Sequence, residues 1–146
     1  MWTEDYSHEK KRWIHVDPSE NVIDSPLMYE HGWSRNLSYV LAFSVDDVQD
    51  VTWRYSNKHS ELLKRRTMCT ELELVKTICE LRKKRQALSS AARKKFLVKR
   101  TLFELVELMV IKEPTEDEKK GRSSGSLAWR LDRGEKKENS VRFFNF

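Results

Sequence analysis

Trp2-Thr-Glu-Asp-Tyr6 and Arg12-Trp-Ile-His-Val-Asp17 are the two stretches on which the fold turns. Both place large side chains at every second position, as strands with alternating faces do, and residues 6–11 read as the loop of an antiparallel pair. Setting Asp5 opposite Arg12 brings Glu4 to Trp13 and Trp2 to His15, so that Trp2, Glu4 and Tyr6 line the same side as Trp13, His15 and Asp17. The alternative register sets the apolar residues of one strand against the polar residues of the other. The first register is expected to build a wall of two indoles, a carboxylate and an imidazole that ends at Asp17, opposite a position preceding Met1. Such a wall suits a sugar, whose apolar ring faces stack on indoles while its hydroxyls hydrogen-bond to acids. An Asp at a strand end can also orient a catalytic His, although an Asp before Pro, taken alone, is more often a turn former.

Beyond this pair, residues 37–43 and 50–54 read as further short strands, separated by turn chemistry at Pro18, Ser25-Pro26, Gly32 and Asp46-Asp47. Helices follow. Asn57 is expected to cap a short one through Arg66, and Thr70 with Glu73 forms a capping box for a second, whose Leu72, Val75, Ile78, Cys79 and Leu88 fall on one stripe. A third spans about 91–110, with Phe96, Phe103, Val106 and Val110 at the spacing of a core-facing side. Residues 112–126 are polar around Pro114 and read as a linker, after which Leu127, Trp129 and Leu131 alternate as a half-buried strand does. The expected class is α+β, with antiparallel strands, then helices, then the first strand of something new.

Charged residues make up 35% of the 146 residues and apolar ones 38%, so much of the surface must be solvated, yet five Trp, six Phe and four Tyr argue against a disordered chain. The net charge of +5 hides three regions. Residues 1–57 hold 5 basic and 10 acidic side chains, residues 58–100 hold 14 and 4, and residues 101–146 hold 9 and 9. The basic helical strip could attract phosphate backbones or acidic protein surfaces, or be a solvated face; no aromatic residue interleaves its charges between Lys58 and Arg93, so a base-stacking platform is missing. The longest apolar run, residues 39–43, is too short for a membrane helix, and the N-terminus carries no signal pattern.

Other chemistries fare worse. Cys69 and Cys79 lack C-x-x-C spacing, so neither a disulfide framework nor a thiol zinc site is expected, and Cys79 has no nearby His to make it a nucleophile. His8, His15, His31 and His59 show no metal spacing and read as surface or hydrogen-bonding residues. Glu4, Asp17 and Glu20 could form a glycosidase-type carboxylate pair. Asn36-Leu37-Ser38 matches the glycosylation acceptor and reads as chance in a chain without a signal peptide.

Several strings carry a resemblance: Trp2-Thr-Glu, Arg12-Trp-Ile-His-Val-Asp17, Glu20-Asn-Val-Ile-Asp24, Pro26-Leu-Met-Tyr29, Gly32-Trp33, Asp50-Val-Thr-Trp-Arg-Tyr-Ser56 and Gly121-Arg-Ser-Ser-Gly-Ser-Leu-Ala-Trp-Arg130. Together they resemble the peptide:N-glycanases of animal cells. The resemblance implies a partial transglutaminase-like, papain-related core at residues 1–56, a helical extension at 57–111, a linker at 112–120 and the truncated opening of a PAW β-sandwich at 121–146. It implies a cytosolic amidase that removes N-glycans from misfolded glycoproteins bound for degradation, using a Cys nucleophile, a His base and an orienting Asp. Of that triad only Asp17 maps here. The His is expected two residues before Trp2, and the Cys and a structural zinc held by two C-x-x-C pairs lie further upstream, so no cofactor is expected in this chain and the chain alone is expected to be inactive. By the same resemblance Trp2, Glu4, Trp13 and Glu20 line the glycan cleft, and position 19 is Ser where several relatives have Cys. The basic helices correspond to the family's docking site for ubiquitin-shuttle proteins of the proteasome pathway. A helical binding module for such partners and a basic nucleic-acid-binding helical protein are the alternatives.

Overall fold

The structure is a computed structural model that describes residues 2–31, 37–87, 89–124 and 127–134. Strands β1 (Thr3–Ser7), β2 (Arg12–Asp17) and β3 (Val22–Ile23) form one antiparallel sheet in the order β1-β2-β3, and β4 (Leu41–Phe43) pairs with β5 (Val48–Asp50) in a second. The expected hairpin is present, with its register shifted. Glu4 lies opposite His15, Tyr6 opposite Trp13 and Ser7 opposite Arg12, a displacement of two residues from pairing Asp5 with Arg12. Lys11 enters β2 at φ 52°, which tightens the connection and lets Tyr6 and Ser7 extend the ladder. A shift of two leaves every side chain on its expected face, because faces alternate with period two.

The core lies where the sheets meet the two 3-10 helices, Pro26–Glu30 and Thr52–Arg54. Met28, Tyr29, Val51 and Tyr55 are buried there, with Trp2, Val22, Leu37, Val40 and Ala42 packed around them. The expected strand at 50–54 is a strand end followed by the second 3-10 helix. The Asp50 carboxylate accepts from the Thr52 backbone N–H (3.0 Å) and hydroxyl (2.5 Å), and this local turn competes with the ladder. Of the expected strand at 37–43, only Leu41–Phe43 pairs.

Helices α1 (His59–Arg65), α2 (Glu71–Arg85) and α3 (Ala91–Leu108) follow. The Thr70–Glu73 capping box opens α2 as expected, whereas α1 is capped at Lys58 and the Asn57 side chain donates to Lys112 O instead. The core-facing sides differ from expectation. On α2 only Ile78 is buried; Leu72, Val75 and Cys79 are exposed, and Leu88 falls outside the described residues. On α3, Leu97, Glu104 and Leu108 are buried, while Phe96, Phe103 and Val106, and Val110 just beyond the helix, face solvent. Polar partners turned that helix: Trp13 Nε1 donates to Glu104, and the Arg100 guanidinium sits 3.8 Å over the Trp13 ring. The stretch 112–120 contains a further helix, α4 (Glu116–Lys120), whose Glu118 is buried. The strand expected at Leu127, Trp129 and Leu131 is helix α5 (Leu127–Asp132); no described strand offers it a ladder, and Arg133 lies over the Trp129 ring instead. Gly32-Trp33, Asn36, residues 125–126 and residues 135–146 lie outside the described residues.

Charge complementarity holds the basic helices to the acidic first third. Arg82 of α2 pairs with Asp47 at 2.5 Å, and Arg93 of α3 pairs with Asp46 at 2.6 Å. Arg66 is the buried member of this group, its side chain 1% exposed. It donates to Asp50 (2.5 Å), Glu71 (2.7 Å), Thr52 Oγ1 and Ser38 O (both 3.2 Å). Among the described residues no helix is long and apolar enough to cross a membrane. Removing one partner of a buried pair strands the other, so Arg66→Met is expected to lower unfolding stability by about 3 kcal/mol or more. Arg93→Met, at a 44% exposed side chain, is expected to cost no more than about 1 kcal/mol, and urea denaturation of the two variants reads the difference.

Candidate functional site

Asp17 closes β2 with its side chain fully buried, and four donors surround it. Oδ1 accepts from the backbone N–H of Ser19 at 3.0 Å and from its hydroxyl at 2.7 Å. Oδ2 accepts from the Tyr29 hydroxyl at 2.8 Å and from Arg122 Nε at 2.9 Å. Burial alone would push the Asp17 carboxyl up, but the hydrogen bonds from Arg122, Ser19 and Tyr29 outweigh it and hold the group well below the usual carboxylate range. It is a fixed negative charge.

His15 sits two residues earlier on the same face, 1% exposed, with Nε2 2.6 Å from the Tyr29 oxygen. Because the Tyr29 hydroxyl donates to Asp17, its oxygen accepts from His15 Nε2–H, which leaves Nδ1 as the unprotonated nitrogen of a neutral ring. Nδ1 has no hydrogen-bond partner among the described residues, and burial holds the His15 pKa below its ordinary value despite the pull of Asp17, Glu4 and Asp24. A cavity of about 150 Å³ adjoins the ring, bounded by Trp13, His15, Arg54, Glu107 and Glu118 among others.

The four expected cleft residues lie around this centre with their groups engaged. Trp2 stacks on Tyr29 with centroids 4.1 Å apart and packs on Tyr55 at 5.3 Å. Glu4 accepts from Arg54 Nη1 and from the Tyr55 hydroxyl, both at 2.6 Å and both on Oε1. Trp13 is covered by Arg100 and bonded to Glu104, so α3 lies over the indole expected to face a sugar. Glu20 accepts from Ser123 N–H (3.2 Å), Ser123 Oγ (2.8 Å) and Ser124 N–H (2.6 Å); burial raises its pKa, and these bonds bring it below the ordinary value.

Tyr29 and Arg122 were not expected to act at this site. Tyr29 carries a signal only in hindsight, as the one aromatic in Pro26-Leu-Met-Tyr29; Arg122 stands 105 positions from Asp17 in a stretch that reads as a linker. For metals, among the described residues no group of three or more His, Cys, Asp and Glu could hold an ion. Cys69 and Cys79 belong to no such group, so the described residues do not supply the four ligands of a structural zinc.

The protonation states give a pH profile for stability. An unfolded chain protonates His15 near 6.5, above its folded pKa, so the stability from the neutral ring is complete above about 6.5 and falls as pH drops through the folded value. The Asp17 contribution is complete above about 3.8 and is lost as pH falls further. Urea midpoints are expected to decline in two acid steps, and His15→Gln should remove the His15 part of the upper step while leaving the lower one.

Residues 1–121 match the model of the Rad4 transglutaminase-like domain. The chain is 54% identical over 145 residues, 99% of its length, to a protein of Drosophila melanogaster named peptide-N(4)-(N-acetyl-beta-glucosaminyl)asparagine amidase. It is 55% and 53% identical to the proteins of that name from Gallus gallus and Homo sapiens over 92% of its length. These matches cover 23%, 21% and 21% of the relatives, so the chain spans less than a quarter of the length of each. With the mixed strands and helices described above, the chain belongs to the Rad4 transglutaminase-like domain family, and the relatives it matches carry the name of peptide:N-glycanases.

Proposed function

We propose that this chain supplies the acid-bearing second half of the catalytic core of a cytosolic peptide:N-glycanase that hydrolyses the amide between an N-glycan and asparagine in misfolded glycoproteins bound for degradation. The observation that carries the reading is a fully buried, ionised Asp17 at a strand end in a chain more than half identical to amidases of that name. In this reading a Cys thiolate and a His come from the chain upstream of Trp2. The thiolate attacks the asparagine side-chain carbonyl, the glycosylamine leaves with a proton from the imidazolium, and water cleaves the thioester to leave aspartate. Asp17 orients the imidazole and stabilises its cation. The Ser19 hydroxyl is the donor that can rotate away to free Oδ1 for the imidazole N–H. Trp2, Glu4, Trp13 and Glu20 contribute the glycan side, where Glu4 Oε2 faces a sugar hydroxyl in this reading because, among the described residues, the hydrogen bonds to Glu4 fall on Oε1. A structural zinc belongs to the upstream portion, and residues 121–146 open a PAW domain.

A specific observation favours a second role beside this one, docking of ubiquitin-shuttle proteins of the proteasome pathway. Phe103 is 74% exposed and Met109 80%, and Leu102, Val106 and Val110 lie open beside them on α3 and just beyond its end. Nucleic acid is the weaker partner for the basic helices, since Arg66, Arg82, Arg93 and Arg100 are already paired with carboxylates of this chain.

Glycan release from a denatured N-glycoprotein tests the amidase reading, with the chain alone and with a chimera in which it replaces the matching segment of the full-length Drosophila relative. The chimera is expected to release glycan, the chain alone to release none, and Asp17→Asn in the chimera to reduce the rate by about 100-fold or more. Release by the chain alone, or by the Asp17→Asn chimera at an undiminished rate, would overturn the reading.

A further inference from the structure

Residues 115–124 are fastened along the segment from Asp17 to His31. The Thr115–Glu118 capping box opens α4, and the same Glu118 carboxylate accepts from Leu27 N–H at 2.9 Å. Gly121, at φ 75°, turns the chain back in a conformation that L residues rarely adopt. The Arg122 backbone N–H then donates to Met28 O (3.2 Å) and His31 O (3.3 Å). Its guanidinium reaches Asp17 through Nε, closes on Ser124 O through Nη1 and approaches Ser19 Oγ at 3.4 Å. Ser123 and Ser124 complete the strap by donating to Glu20.

The Arg122–Asp17 pair is buried on both sides, with side chains 8% and 0% exposed. Such a pair is weak evidence for stability, because desolvating two charges costs about as much as their attraction returns; its best-attested use is to fix one arrangement among several. Here the arrangement fixed is that of two carboxylates on one turn. Asp17 Oδ2 is held between Tyr29, from one side, and Arg122, from the strap, while among the described residues the donors to the Glu20 carboxylate come from the strap.

We infer that Arg122 is a positioning residue for Asp17, and that residues 121–124 form a strap setting the orientation of both Asp17 and Glu20. The inference rests on the amidase reading for its functional consequence. The strap ties the rate of the reaction, through Asp17, and the grip on the glycan, through Glu20, to a segment more than a hundred residues from either. The titratable and charged groups facing Asp17 are Tyr29 and Arg122, with His15 behind Tyr29; only Arg122 among them carries a positive charge at neutral pH.

Carboxyl 13C NMR on the 146-residue chain reads the strap, and glycan release by the Drosophila chimera reads its consequence. Arg122→Met is expected to raise the Asp17 titration by at least about one pH unit and to lower kcat in the chimera about 10-fold or more. Lys120→Met removes a neighbouring exposed charge and is expected to change neither. Arg122→Lys keeps the cation but loses the forked guanidinium. It is expected to leave the Asp17 titration low and to lower kcat about 10-fold or more with KM little changed. An unchanged Asp17 titration in folded Arg122→Met overturns the strap. If that variant does not fold, an unchanged kcat in Arg122→Lys overturns it instead. An unsubstituted chimera without activity overturns the amidase reading and with it the positioning role, a failure distinct from an unchanged titration.

Discussion

A carboxylate with no exposure to water cannot remain charged unless donors replace its hydration, and Asp17 organises its surroundings through that requirement. Its four donors come from the turn after β2, from the first 3-10 helix and from the strap after α4. Each donor fixes a piece of chain with no other regular ladder to the sheet. Tyr29 carries the 3-10 helix against Trp2 and Tyr55, and Arg122 brings in residues that composition alone would leave in solvent.

The same logic of buried charge recurs around the molecule at lower intensity. Glu4 is met by Arg54 and Tyr55, Glu104 by Trp13 and Arg100, Asp50 by Arg66, and Asp47 by Arg82. Arg66, Arg82 and Arg93 thus join the basic helical region to carboxylates of the acidic first third. The outer face of α3 presents Leu102, Phe103 and Val106 to solvent while Glu104 is buried.

How much of this was legible follows from the range of each interaction. The alternation in Arg12-Trp-Ile-His-Val-Asp17 and the capping box at Thr70–Glu73 depend on neighbours within one element, and both features appear as read. The faces of the first two strands were also legible, although their pairing was off by two residues, because period two is insensitive to a shift of two. The buried side of α3 was not legible. Hydrophobic spacing points to Phe103 and Val106, but Trp13 on a distant strand selects Glu104 and Arg100, and no local pattern encodes that partner. Leu127, Trp129 and Leu131 alternate like a strand, and alternation without a ladder left the local preference for a helix in force. At the site, Asp17 stood out through the family resemblance, since its place at a strand end before Pro18 reads as readily as a turn. Arg122 did not, because a Gly- and Ser-rich context reads the same for a free linker and for a strap whose contacts are all long-range.

Amide hydrogen exchange at Arg122 and Ser124 separates those two readings most directly. With residues 121–124 strapped across Asp17 and Glu20, both amides are donors to fixed acceptors and should exchange as slowly as the paired amides of β2. Exchange at the rate of an unstructured peptide, in a chain whose β2 amides are protected, would contradict the closure of the Asp17 site by this segment.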